Sequence, residues 1–386
     1  MLIKIKDSEI KIGEALPWSV YDAEGRLLLS EGNVVPSERI LAAVVEHGVF
    51  RILNEDDTEE MDANAKNKKD PFELLCECAN YTEKLFAAIE DSEDTVEYRV
   101  KQLVKGFRQL FTNYTDACIG AIHVCHSGQY TLWHPLCVAM LCELVASRLG
   151  LPEEQHFALL AAAFTSNIGM RELQEELFHQ DAPLTEQQRK SLNVHPAKSA
   201  EMLIESGITN VDWVKAVFQH HERMDGSGYP EGIKSSEIGQ LARLLAVADR
   251  YAAMVRGRAY RKAIHGKDTL RELLVENGQF YDQELSLVLI SELGVYPPGT
   301  IVQLKNREVG MVVNRGKKNA TIPLVTVFIG PNGAVLDKPI LRNCVVSSYK
   351  IHDKFEIHGE LPFDLLELWN ATYATNQQLN DSSQLG

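Results

Sequence analysis

The chain has 386 residues, 45% of them hydrophobic and 24% charged, a globular composition on a length too great for one ordinary core. Lys+Arg 39 against Asp+Glu 54 leaves a net charge of −15. That balance argues against a nucleic-acid polymer or an anionic membrane as the main partner, because non-specific phosphate binding needs a cationic surface.

The longest uninterrupted apolar stretch is Phe157 to Ala163 with Phe164, so no bilayer span of about 20 residues is expected. The opening Met-Leu-Ile-Lys-Ile-Lys-Asp alternates apolar and charged residues and lacks a signal-peptide core. Cys76, Cys78, Cys118, Cys125, Cys137, Cys142 and Cys344 are an odd set without a Cys-x-x-Cys pair. They read as free thiols of a reducing compartment, so a cytoplasmic location is expected.

Residues 1–53 read as an α/β module. Val20 to Leu29 suggests a hairpin turning at Ala23–Gly25, and Ser37 can cap a helix through Glu46 that Gly48 ends. Residues 54–70 join an acidic run to Lys66, Lys68 and Lys69, the composition of a linker. From Pro71 to Leu293 the apolar period is helical. Here 71–115 is a connector, and the main helical domain takes 116–298. Within it, Leu149-Gly150-Leu151-Pro152 stops one helix and starts the next. Beyond Tyr296-Pro297-Pro298-Gly299 the period becomes two, so 299–350 is a β-rich extension with strands near Thr300–Leu304, Gly310–Val313 and Leu324–Phe328. Residues 351–386 form a tail. The predicted fold is therefore multidomain and mainly α, and no internal repeat is present.

Among twelve histidines, His220-His221-Glu222 stands out. Val214, Val217, Phe218 and His221 form one helical stripe that turns His221 toward the core, and the Gly-rich Asp225 to Pro230 breaks the helix at once. Adjacent helical residues diverge by about 100°, so two imidazoles converge only near a helix end. Otherwise one is a core residue and the other faces solvent. Asp249 shares a buried face with Leu245 and Ala252, where a carboxylate must be paired or bound to a metal. Arg250, Arg256, Arg258, Arg261 and Lys262 then follow without an intervening acid, suited to phosphate or to a helix C-terminus. His134-Pro135 and His195-Pro196 are weaker signals, and His123, His126, His156, His179 and His265 have no comparable setting.

Together these residues resemble the HD-GYP family of metal-dependent phosphodiesterases that hydrolyse bacterial cyclic dinucleotides, chiefly cyclic di-GMP. The likeness runs over residues 128–298. His220 through Gly232 looks like the family signature almost residue for residue, and Tyr130 to His134, Leu184 to Pro196, Ala246 to Tyr251 and Arg258 to Ala263 resemble its other segments. The resemblance implies a helical HD-type bundle core in bacterial second-messenger signalling. It makes His134, His195, His220, His221 and Asp249 the metal ligands, with Arg258, Arg261 and Tyr229 on the substrate.

The departures are specific. Where the family places its His-Asp pair and a lysine, this chain has Ser166, Asn167 and Met170; Ala252 and Ala259 also depart. A neutral Asn cannot supply a bridging carboxylate. One metal would keep only His134 and Asp249, whereas His195, His220 and His221 can hold a single Fe, Mn or Zn ion. One ion or none is expected. Two readings stay open. In one the chain is a catalytically impaired homologue that binds a cyclic dinucleotide, or a signalling protein through the Gly228-Tyr229-Pro230 loop. In the other it is an active phosphodiesterase with a mononuclear or altered site. Hydrolysis of another phosphate ester and a purely structural core are the remaining alternatives.

Overall fold

In the computed structural model, the described residues are 2–4, 10–16, 19–21, 27–37, 39–41, 50–52, 70–125, 128–256, 266–276, 278–316, 322–357 and 360–370. The Ala23–Gly25 turn, the Glu46–Gly48 helix end, the linker lysines, Arg258 and Arg261 lie outside them. The chain divides into two compact units.

One unit comprises 1–69, 303–310 and 324–386. Its first sheet orders β1 (Leu2–Lys4), β4 (Phe50–Ile52), β2 (Val20–Tyr21) and β3 (Leu27–Leu29) in that sequence with antiparallel pairs. Ile10, Leu16, Val20 and Val35 form a small core there. In the C-terminal region β5 (Ile301–Leu304), β6 (Val309–Asn314), β7 (Leu324–Ile329), β8 (Val335–Asn343) and β9 (Ile351–Lys354) make a five-stranded sheet ordered β8-β7-β6-β5-β9.

The other unit, 70–302 with 311–323, is helical. α1 (Pro71–Glu90) is capped by Asp70, whose carboxylate accepts from the Phe72 N–H. α2 (Val96–Val124) follows, then α3 (Tyr130–Leu149), which ends at Gly150 in the left-handed region before Pro152 restarts the chain as α4 (Glu153–Thr165). α5 (Arg171–His179), α6 (Glu186–Glu205), α7 (Val211–Gln219), α8 (Gln240–Val255), α9 (Gly266–Glu276) and α10 (Gln283–Leu293) complete the bundle.

α3 is buried continuously from Tyr130 to Ala146. It packs against α1, α2, α4, α5, α8 and α10, so it has no solvent face on which to be polar. By length and composition alone Tyr130–Leu149 could cross a membrane, and most of it is buried in the fold. This corrects the expectation that no stretch approaches that length. Thr131, His134 and Glu143 interrupt its apolar run without giving it an exposed face.

Candidate metal centre

Three histidines from two elements meet in the helical unit. His195 lies inside α6, a helix begun by a capping box in which the Thr185 hydroxyl and the Gln188 side chain each bond the other's backbone N–H. His220 and His221 follow the last residue of α7. Their ligand nitrogens all lie within 4.8 Å of one another. α7 is held in place by the Trp213 indole N–H, which donates to the Thr165 hydroxyl at 2.9 Å at the end of α4.

The orientation of these rings follows from backbone chemistry. Pro196 has no N–H, so the Leu192 carbonyl four residues back loses its helical donor. The His195 Nδ1–H takes that place, donating to Leu192 O at 2.6 Å. At the C-terminus of α7 the last carbonyls have no helical donor either, and the His220 Nδ1–H donates to Val217 O at 2.6 Å. With both Nδ1 positions protonated, both Nε2 atoms carry lone pairs, and they face each other at 3.4 Å.

Two bare lone pairs at that distance repel unless a cation lies between them. Two Zn–N bonds of about 2.05 Å at the tetrahedral angle place their nitrogens roughly 3.35 Å apart, so these residues fit a divalent ion. Burial, first, and the neighbouring His220 push His195 down to about 3. Burial likewise lowers His220, and with His220 and His195 it lowers His221. The imidazoles are neutral at ordinary pH, as ligation requires.

Sequence periodicity pointed His221 at the core. In the structure His220 is the fully buried one and His221 is partly buried. α7 stops at Gln219, so neither residue obeys the helical stripe. That early stop is what lets consecutive histidines converge.

His134 and Asp249 form a second pair. His134 Nε2 and Asp249 Oδ1 are 2.8 Å apart, and the Tyr130 hydroxyl lies 3.3 Å from His134 Nδ1. Burial opposes the charge on Asp249, but the hydrogen bond with His134 leads the effects that outweigh it and hold the carboxyl far below its usual range. His134 and Asp249 are not among the three residues whose ligand atoms group within 4.8 Å.

Ser166 is buried at the end of α4, with its N–H donating to Ala162 O. Asn167 is 4% exposed, and its Oδ1 has no hydrogen-bond partner. Such an atom marks a place where a water or ion belongs. It opens the turn Ile168–Met170, which packs against α6. Met170 is partly buried. Tyr229 lies on His221, with ring centroids 4.9 Å apart and planes 30° from parallel.

Glu222 and Tyr130 stand within the motifs of the sequence but carry no individual role there, and neither does Gly169. The His-Pro dipeptide at 195–196 was readable as an imidazole directed at a freed carbonyl, whereas the Gly169 contact with α6 had no local signal.

Residues 100–285 match the HD domain family. A cyclic di-GMP phosphodiesterase of Pseudomonas aeruginosa is 28% identical over 257 residues, 67% of this chain and 60% of its own. The cyclic di-GMP phosphodiesterase response regulator RpfG of Xanthomonas campestris is 34% identical over 36% of this chain and 37% of its own. A 3'3'-cGAMP-specific phosphodiesterase of Vibrio cholerae is 32% identical over 44% and 36%. The chain thus spans between roughly a third and three fifths of the length of these curated relatives. Among solved structures, the HDG"Y"P protein of Bdellovibrio bacteriovorus superimposes with a TM-score of 0.50 at 14% identity, covering 75% of this chain and 98% of its own. The helical unit therefore has an HD-type fold, and residues 100–285 are similar to the HD domain family and to relatives named as cyclic dinucleotide phosphodiesterases.

Proposed function

We propose that this chain binds a cyclic dinucleotide, cyclic di-GMP first, at a divalent-metal site held by His195, His220 and His221, and hydrolyses it weakly or not at all. It then acts as a ligand-binding or protein-interaction regulator in second-messenger signalling, with the Gly228-Tyr229-Pro230 loop as the surface for a protein partner. Its place of action is proposed to be the cytoplasm, in keeping with seven free thiols. The names of the relatives support a phosphodiesterase ancestry and a cyclic dinucleotide ligand.

The observation that carries the impaired reading is Asn167. It sits buried with an unpartnered amide oxygen where the resemblance calls for a bridging carboxylate. An amide brings an oxygen but no negative charge, and Ser166 brings no imidazole. A bound divalent ion supplies Lewis acidity toward a phosphate oxygen. The protein's part is to hold that ion through neutral nitrogens, to stack Tyr229 over His221 on the ligand side, and to keep the Asp249 carboxylate charged beside them. Arg258 and Arg261 are proposed as the guanidinium contacts to phosphate.

A second reading, an active phosphodiesterase with one metal, draws on the three-histidine group itself, because three protein ligands with an open position also describe catalytic zinc sites. Metal content, cyclic di-GMP binding and turnover on one purified sample separate the two. Stoichiometric metal with binding and negligible turnover supports the first. Turnover on the order of 1 s⁻¹ or faster overturns it in favour of the second.

A further inference from the structure

Directly after the paired histidines the chain closes a ring on itself. Glu222 is 3% exposed, and its Oε1 accepts the backbone N–H groups of Glu231 at 2.7 Å and Gly232 at 3.1 Å. Inside that ring the Tyr229 N–H donates to the His221 carbonyl at 3.1 Å. Gly228 presses so closely on the first limb that a Cβ there would lie 2.4 Å from Arg223 N and 2.5 Å from His221 O. The limb is anchored on its other side too: the Arg223 guanidinium lies over the Phe280 ring, and the Met224 N–H donates to Phe280 O at 3.1 Å.

Burying a carboxylate is costly, and two amides on a loop can be left to water. Here Oε1 is spent on both amides while the buried Oε2 has no hydrogen-bond partner, and the residue so held in register is Tyr229, whose ring lies on His221. We infer that Glu222 is a positioning residue: its carboxylate oxygen clamps residues 222–232 into a closed loop that keeps Tyr229 against His221, and so shapes the ligand side of the three-histidine site. Glu222 touches neither ligand nor metal in this assignment; it acts through Tyr229. The ligand readout below rests on the cyclic di-GMP reading of the site, while the clamp itself is read without nucleotide.

Full-length Glu222→Ala, Glu222→Gln and Glu222→Asp variants test it. Gln keeps an oxygen at the same reach, whereas Asp keeps the charge but is one methylene too short. In Ala and Asp, amide exchange at Glu231 and Gly232 should accelerate at least about tenfold, and the His221 ring protons should shift as the Tyr229 ring current is lost. Metal content should match wild type, and cyclic di-GMP affinity should fall about tenfold. Gln should restore all of these. Unchanged exchange and ring shifts in Ala, or Gln behaving like Ala, overturn the clamp. Metal lost in step with nucleotide also overturns it, because Glu222 would then be a scaffold for the histidines. If Ala does not fold, the contrast between Gln and Asp gives the same decision. If wild type binds no cyclic di-GMP, the functional reading fails, while exchange and ring shifts still decide the clamp.

Discussion

His195 and His220 reach one protonation state by two routes, a proline in mid-helix and a helix end, and that state has a pH signature. Burial, with His220 beside it, pushes His195 down to about 3 from its ordinary 6.5, and His220 and His221 are lowered as well. Between about pH 6.5 and pH 3 the unfolded chain therefore binds protons that the folded metal-free chain refuses, so stability rises with pH across that window. The benefit is complete above roughly 6.5 and is lost on acidification, with a slope of up to about 1.4 kcal/mol per pH unit for each such histidine. Melting temperature of metal-free protein should fall steadily from about pH 7 to pH 5; a flat profile contradicts the neutral-imidazole assignment. A companion expectation is that His221→Ala removes bound metal while His134→Ala retains most of it, since His134 is bonded to Asp249 outside the three-histidine group. Equal losses by metal analysis would count against it. At this scale the five charged or imidazole side chains were legible as residue types, but their grouping into three and two came from resemblance. The orientation of the His195 ring was readable from Pro196, which frees the Leu192 carbonyl, whereas that of His220 depends on where the fold ends α7.

At the scale of elements, the fit between the Ile168–Met170 turn and α6 controls the placement of His195. The Gly169 N–H donates to the Ser199 hydroxyl at 2.9 Å, and a Cβ on Gly169 would lie 2.7 Å from Ser199 N and 2.9 Å from His195 O. Both of those obstacles are backbone atoms of α6 and cannot swing away. Gly169→Ala should cost about 1–3 kcal/mol through overpacking and shift α6 enough to weaken metal retention. Thermal melting and metal content on the same sample check both; an unchanged melting point would mean that the turn yields freely. Amphipathic helices such as α7 and α8 were readable from their apolar period, and the Gly150 stop of α3 from its glycine. The full burial of α3 was not, because a helix enclosed on every side loses the period that sequence reading depends on. The convergence of His220 and His221 was legible in part, because the Gly-rich Asp225 to Pro230 marks a helix end just beyond them, although α7 stops earlier, at Gln219.

For the whole molecule, the composition fixes a long-range field of one sign, with Lys+Arg 39 against Asp+Glu 54. Any metal that binds the folded helical unit and not the unfolded chain stabilises it, by about 2.7 kcal/mol at a hundredfold excess over its Kd. For a unit of this size that corresponds to a rise of several degrees in melting temperature. Calorimetry with and without a chelator should show it, and coincident transitions would remove the three-histidine group as a metal site. Zn, Mn and Fe tested in turn should rank by affinity for imidazole nitrogen, with Mn weakest of the divalent ions.

The facing lone pairs of His195 and His220 have one more consequence, in the charge carried by a loaded site. Three neutral imidazoles donate electrons but no negative charge, and the neutral amide of Asn167 adds none. A divalent cation held there keeps nearly its whole charge, partly offset by Asp249 nearby. In a chain of net −15 the result is a small electrophilic centre in a molecule whose overall charge opposes anions. It would select for anions compact enough to reach it, so inorganic phosphate and halides should compete with nucleotide for the same position, and added salt should act as a competitor more than as a screen.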